Sequence, residues 1–178
     1  MDYILNDIEV RVLGSLIEKE LTTPEYYPLS LNALTNACNQ KSNRDPAMSL
    51  TDEEVVRALN RLRFNQLTIV SGESSRVAKY RHLLTEKMGL MPAELAVICE
   101  LLVRGPQTVG ELRTRGERMH PFGDLAAVEE VLLPKGLLYL PDLWLHLGNH
   151  PGRVLRVIAS LCGAGDHPPG VFRQRLGH

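Results

Sequence analysis

Between Arg57 and His82 the chain carries Arg57, Arg61, Arg63, Arg76, Lys79 and Arg81 against Glu73 alone, a local charge of +5 in a protein whose formal net charge is −1. Binding depends on where charge sits rather than on its total. At a helical advance of about 100° per residue, Val55, Leu59 and Leu62 form an apolar stripe, and Arg57, Asn60, Arg61 and Phe64 fall opposite it. Two guanidiniums and an amide on one face suit phosphate contact and base-edge reading in a major groove. Arg76, Lys79 and Arg81 would add backbone contacts. The alternative is a set of solvated arginines on a helix whose other face is packed. Glu53 and Glu54, at the helix start, oppose the first reading, because that end often leads into the groove. Upstream lies the polar run Asn39-Gln40-Lys41-Ser42-Asn43-Arg44. Its Lys41 and Arg44 could meet phosphates, or the run could satisfy backbone groups in a long turn.

The elements that must position these groups are marked by helix-start chemistry. Asn6 and Glu9 make a capping box for a first helix, with Leu5 and Val10 as a hydrophobic staple. Thr22-Thr23-Pro24 ends it. A second helix is predicted from Ser30 to about Cys38, and a third from Thr51, with a Thr51/Glu54 capping box, to about Gln66. Leu67–Val70 reads as a strand, Ser71–Ser75 as a turn and Val77–Leu84 as a returning strand. Three helices followed by a hairpin is the winged-helix order, a variant of helix-turn-helix.

The order then repeats. Glu9-Val10-Arg11-Val12-Leu13 is matched by Glu94-Leu95-Ala96-Val97-Ile98, after Pro92 at a first helical position. Thr108 and Glu111 make another capping box. Asp124 caps a further helix to Lys135 that bears Leu125, Val128 and Leu132. Leu137–Leu140 and Leu143–Leu147 read as its strands. The boundary falls near Glu86–Leu90. The two third helices differ: where the first presents Arg57, Asn60, Arg61 and Phe64, the second presents Ala127, Glu130, Val131 and Pro134. Small apolar groups with a carboxylate repel phosphate, so Ala127, Glu130 and Val131 are read as a protein-interaction face for self-association or partner docking, the alternative being a plain solvent-facing helix.

Other chemistry finds little support. There is no GxSxG elbow, P-loop or dinucleotide-binding glycine fingerprint, so no enzyme is expected. His146 and His150 flank Gly148-Asn149 where a strand ends, which makes an exposed pair a better reading than a metal site. Cys38, Cys99 and Cys162 are odd in number and far apart, giving neither a disulfide framework nor a zinc site; Cys38 and Cys99 are expected in the core. His82 could touch phosphate or pack against the hairpin. No cofactor is expected. Apolar residues make up 44% of the chain, enough for a core, in runs too short to cross a bilayer. No N-terminal signal is visible, and a cytoplasmic setting without membrane association is expected.

Several long stretches resemble the YceH-like family of bacterial proteins: Leu21–Asn32, Asn39–Arg44, Lys79-Tyr80-Arg81-His82 and Arg104–Arg113. The resemblance covers roughly residues 5–135 and implies a tandem pair of winged helices; it implies no activity. The C-terminal part departs from the family pattern, since Leu147–Gly152 keeps only the outline of a basic Pro-Gly segment. The expectation is therefore a mainly α fold with small β-hairpins (α+β). It comprises a first winged-helix domain at 1–87, a second at 88–162 and a flexible tail at 163–178. The expected function is DNA binding through Lys41, Arg44, Arg57, Asn60, Arg61, Arg76, Lys79 and Arg81, as in a transcriptional regulator. The alternative is a docking module without a nucleic-acid ligand, its second domain mediating self-association with a further copy or binding a protein partner.

Overall fold

Every helix leaves amides at its start without an internal partner, and most starts here supply one. Asn6 Oδ1 accepts from Glu9 N at 2.9 Å, while a Glu9 carboxylate oxygen accepts from Asn6 N at 3.1 Å, opening α1 (Asp7–Thr22). A single 3₁₀ turn (Pro24–Tyr26) and strand β1 (Leu29–Ser30) lead to α2 (Leu31–Cys38), capped by Ser30. Thr51 and Glu54 cap each other's amides to open α3 (Asp52–Phe64). Strands β2 (Thr68–Ser71) and β3 (Lys79–His82) follow, then α4 (Leu84–Met88), α5 (Pro92–Arg104), α6 (Val109–Gly116) and α7 (Leu125–Leu132). The computed structural model describes residues 5–71 and 77–132. Over them the fold is mixed α/β, with seven α-helices and one three-stranded antiparallel sheet in the order β1-β3-β2.

The third helix stops short of Gln66 for a visible reason. Leu67 N donates to Leu62 O at 2.8 Å and Gln66 N to Arg63 O at 2.9 Å, with Gln66 at φ 56°. This is a Schellman end, closed by the buried pair Leu62 and Leu67. It turns the chain at once into β2. The returning strand is shorter than predicted because Leu84 begins α4, a helix the sequence reading did not anticipate; it occupies the expected boundary and ends at Gly89 with φ 60°. Leu125, expected in the α7 stripe, is half exposed, while Val128 and Leu132 are buried. The extension of that helix to Lys135, the two later strands, the His146/His150 pair and the 163–178 tail lie outside the described residues.

α1 and α5 are the centre. Every residue from Glu9 to Glu18, and every one from Leu95 to Val103, is buried, as expected of helices enclosed on all sides rather than lying on a surface. They pack on each other more extensively than any other pair of elements. Buried apolar side chains from both halves of the chain form one cluster, from Leu5 through Leu62 and Leu101 to Leu132. The helices approach closely at Gly14, where a Cβ would meet Val103 Cγ1 at 2.8 Å and Leu102 Cβ at 3.1 Å.

This contact sets two opposite outcomes for glycine replacement. Gly14→Val should lower stability by about 1–3 kcal/mol through overpacking. Gly110→Ala, in α6 where a Cβ would meet nothing within 4 Å, should raise it by up to about 1 kcal/mol through helix propensity. Urea denaturation of both variants checks the pair of signs.

Candidate nucleic-acid interface

The apolar stripe of α3 (Val55, Leu59, Leu62) is buried, and Arg57, Asn60, Arg61, Arg63 and Phe64 are exposed. The hairpin sorts its side chains by the two-residue period of a strand. His82 and Tyr80 on β3 turn inward with Thr68 and Val70 on β2, leaving Lys79, Arg81, Ile69 and Ser71 on the outer face. The register sets Arg81 opposite Ile69 and Lys79 opposite Ser71. Lys79 is exposed.

Intramolecular partners divide the candidate cations. Arg57 and Lys79 stand in solvent without an ion pair among the described residues. Arg61 Nε lies 2.8 Å from Glu9 Oε1, a fully buried carboxylate, while the Arg61 side chain remains 67% exposed. Arg81 Nη1 is 2.5 Å from Glu86 Oε1. Lys41 is exposed on the connector. Arg76 lies outside the described residues.

Arg44 must be withdrawn from the interface: its guanidinium is fully buried and paired with Glu18. Arg44 Nη1 donates to Glu18 Oε1 at 3.0 Å and to Asn43 O at 2.8 Å, and Arg44 Nη2 donates to Ala37 O at 2.8 Å. The rest of the connector behaves alike. Asn39 Nδ2 donates to Leu50 O at 2.8 Å and Asn39 Oδ1 accepts from Leu50 N at 2.7 Å. Asp45 N donates to Val103 O at 3.0 Å, and Arg104 donates to Asn43 Oδ1. Of the two readings of this polar run, the structure shows the backbone-satisfying one for Asn39 and Arg44.

Glu18 belongs to a buried charge cluster that the sequence reading missed. Arg118, in the turn after α6, places Nη2 2.6 Å from Glu18 Oε1 and 3.2 Å from Glu100 Oε1. Arg104 Nε lies 3.2 Å from Glu100 Oε2. Arg11, also buried, donates to Cys38 O at 3.1 Å and Pro46 O at 2.6 Å. Burial alone would raise the pKa of Glu18, but the hydrogen bonds and charges of Arg44 and Arg118 outweigh it and hold the carboxyl below its usual range. Burial pushes the Cys38 thiol up to about 11 and Cys99 well above its ordinary value, so both are inert core groups, as expected. The signal for the cluster was a charge set inside a helix apolar all round, as in Cys99-Glu100-Leu101.

His82 packs under the hairpin rather than facing outward. Leu84 N donates to His82 Nδ1 at 3.1 Å, so Nε2 carries the proton and donates to Glu20. Tyr27 Oη accepts from His82 N at 2.8 Å. In α7, Ala127 and Val131 are half-buried against the core, leaving Glu130 exposed with Glu129 and Leu125. Two of the three residues expected to form a docking face are thus largely engaged within the chain. Among the described residues no group of three or more His, Cys, Asp or Glu could hold a metal, and no helix is long and apolar enough to cross a membrane.

Removing one partner from a buried ion pair leaves the other uncompensated, at a cost of about 3–5 kcal/mol. Arg44→Met should therefore destabilise the protein by that order, whereas Lys41→Ala should stay within about 0.5 kcal/mol of the parent; chemical denaturation distinguishes them. A folded-state pKa of Glu18 below the unfolded value gives stability that is present above the unfolded pKa and lost as pH falls through the folded one. Glu18→Gln should flatten the decline in stability below about pH 4.5, the ordinary value for a glutamate carboxyl.

Residues 5–153 match the family model described as "Protein of unknown function, DUF480". A UPF0502 protein of Geotalea daltonii is 69% identical over 153 residues, covering 86% of this chain and 70% of the relative. One from Geotalea uraniireducens is 74% identical over 132 residues, 74% of this chain and 60% of the relative. A UPF0502 protein of Geobacter sulfurreducens is 62% identical over 155 residues, 86% of this chain and 69% of the relative. The match thus spans only 60% of the length of one of these relatives. With the family model matching most of its length, the chain belongs to the DUF480/UPF0502 family of bacterial proteins.

Proposed function

We propose that this protein binds nucleic acid, in the first instance DNA, through α3 and the outer face of the β2–β3 hairpin, as a non-enzymatic protein of the cytoplasm. The observation that carries the reading is the exposed row Arg57, Asn60 and Arg61 on α3, with Lys79 exposed on the neighbouring hairpin. Phosphates would be met by the cations and a base edge by the Asn60 amide.

The order helix, short strand, helix, helix, hairpin over residues 7–82 supports a winged-helix reading of the first half. The helices α5, α6 and α7 follow in the order of the α1, α2, α3 series, with side-chain caps at Thr108 and Asp124, and support a second copy. That second copy serves as a support for the first: α5 buttresses α1, and the outer side of α7 carries Glu129 and Glu130, which repel phosphate. A regulator of transcription is the role such a face fits once a preferred site is found. Buried, unpaired Cys38 and Cys99 accord with a reducing compartment.

The test is fluorescence anisotropy of a labelled random DNA at about 50 and 200 mM salt, where each neutralised phosphate contributes about 0.9 to the slope of log affinity against log salt. Arg57→Ala/Lys79→Ala is the variant of choice, since Arg61→Ala would also remove the cation paired with buried Glu9. Binding that weakens steeply with salt and drops in the double variant is the expected result. Absence of binding at the lower salt, or binding indifferent to the double variant, would sink the reading.

A further inference from the structure

Phe64, the last residue of α3, is 89% exposed, the most exposed of the large apolar side chains among the described residues. It is held there firmly. The Schellman end fixes the backbone just beyond it, and Asn65 O, the next carbonyl, accepts from Lys87 Nζ at 2.8 Å. Helical spacing puts Phe64 on the same face as Arg57, Asn60 and Arg61, seven, four and three residues before it. Arg63 is exposed beside it. An aromatic ring in water among cations and an amide has the composition of a stacking platform for nucleobases, with phosphates neutralised alongside.

The charge gradient along α3 says which form of nucleic acid fits. Its first turn carries Asp52, Glu53 and Glu54, the end that a groove-reading helix would push between two phosphate backbones. The helix's cations start at its middle with Arg57 and continue with Arg61 and Arg63 in the last turn, near Phe64. Arg44 is withdrawn by burial against Glu18, and Arg81 is shared with the exposed Glu86, so the basic surface beside α3 is narrow. A duplex groove would therefore meet the acidic tip, whereas a strand laid from the middle of the helix to its C-terminal end would meet Arg57, Asn60, Arg61, Arg63 and the ring.

We infer that Phe64 stacks against an unpaired base, and that the nucleic acid taken by this face is single-stranded or locally unpaired rather than plain duplex. The inference rests on the nucleic-acid reading of α3 and adds the strand state and the residue that senses it.

The test uses the full chain with a labelled DNA single strand and a duplex of the same sequence, with 2-aminopurine placed in the single strand as a stacking reporter. Phe64→Ala changes an almost fully exposed side chain and should leave the urea midpoint in place. The wild type should prefer the single strand and quench 2-aminopurine. Phe64→Ala should lose about tenfold in single-strand affinity and the quenching, with the salt slope unchanged, and Phe64→Trp should retain both. Equal single-strand affinity and equal quenching in Phe64→Ala would overturn the inference while leaving the nucleic-acid reading intact if Arg57→Ala/Lys79→Ala still weakens binding. No salt-sensitive binding of either DNA would overturn both.

Discussion

Two carboxylates, Glu18 and Glu100, are enclosed between α1 and α5, and a buried charge is tolerated only when paired and hydrogen-bonded. Much of the architecture follows from that constraint. Arg44 reaches Glu18 because the Asn39–Leu50 connector folds back on itself, clamped by the two Asn39–Leu50 hydrogen bonds. Arg118 reaches both carboxylates from the far side, so the turn after α6 is tied to the first half of the chain. The helices can approach closely enough to share these partners because position 14 has no side chain. Replacing such a cluster with apolar groups would often be neutral for stability. Its evident structural effect is to define how α1, α5, the connector and the turn at Arg118 come together.

The same cluster decides which cations remain for function. A chain with 20 Lys and Arg residues looks well supplied for a polyanion, yet Arg11, Arg44, Arg104 and Arg118 hold the interior together. Among the described residues, what remains near α3 is a small set: Arg57, Arg61 and Arg63 on the helix and Lys79 on the strand, with Arg81 beside Glu86. Surface ion pairs such as Arg81–Glu86 are weak, about 0–1 kcal/mol, and a phosphate can compete for that guanidinium. For Arg44, buried against Glu18, it cannot.

The caps were the legible part of the sequence. Asn6/Glu9, Ser30, Thr51/Glu54, Thr108/Glu111 and Asp124 place helix starts through local hydrogen bonds spanning three residues, and the structure has helices beginning at each. The exposed row on α3 was legible for the same reason, since the buried stripe fixes the opposite face. Arg44 was misread because its role depends on Glu18, 26 positions away, and no local pattern separates a buried guanidinium from a solvated one. α4 was missed because it is one short helix between a strand and Gly89, with no side-chain cap. The halves' common core was hidden too: each half has its own helical periodicity, but the joining of their apolar faces is a tertiary fact.

Native-state hydrogen exchange across a urea series tests most directly whether α1 and α5 form one cooperative core. On this account, amides in the middle of α1 and the middle of α5 share the highest opening free energy and converge on the same global unfolding line. A lower-energy opening that exposes α5 while α1 stays protected would contradict it, and would show two halves that are merely adjacent.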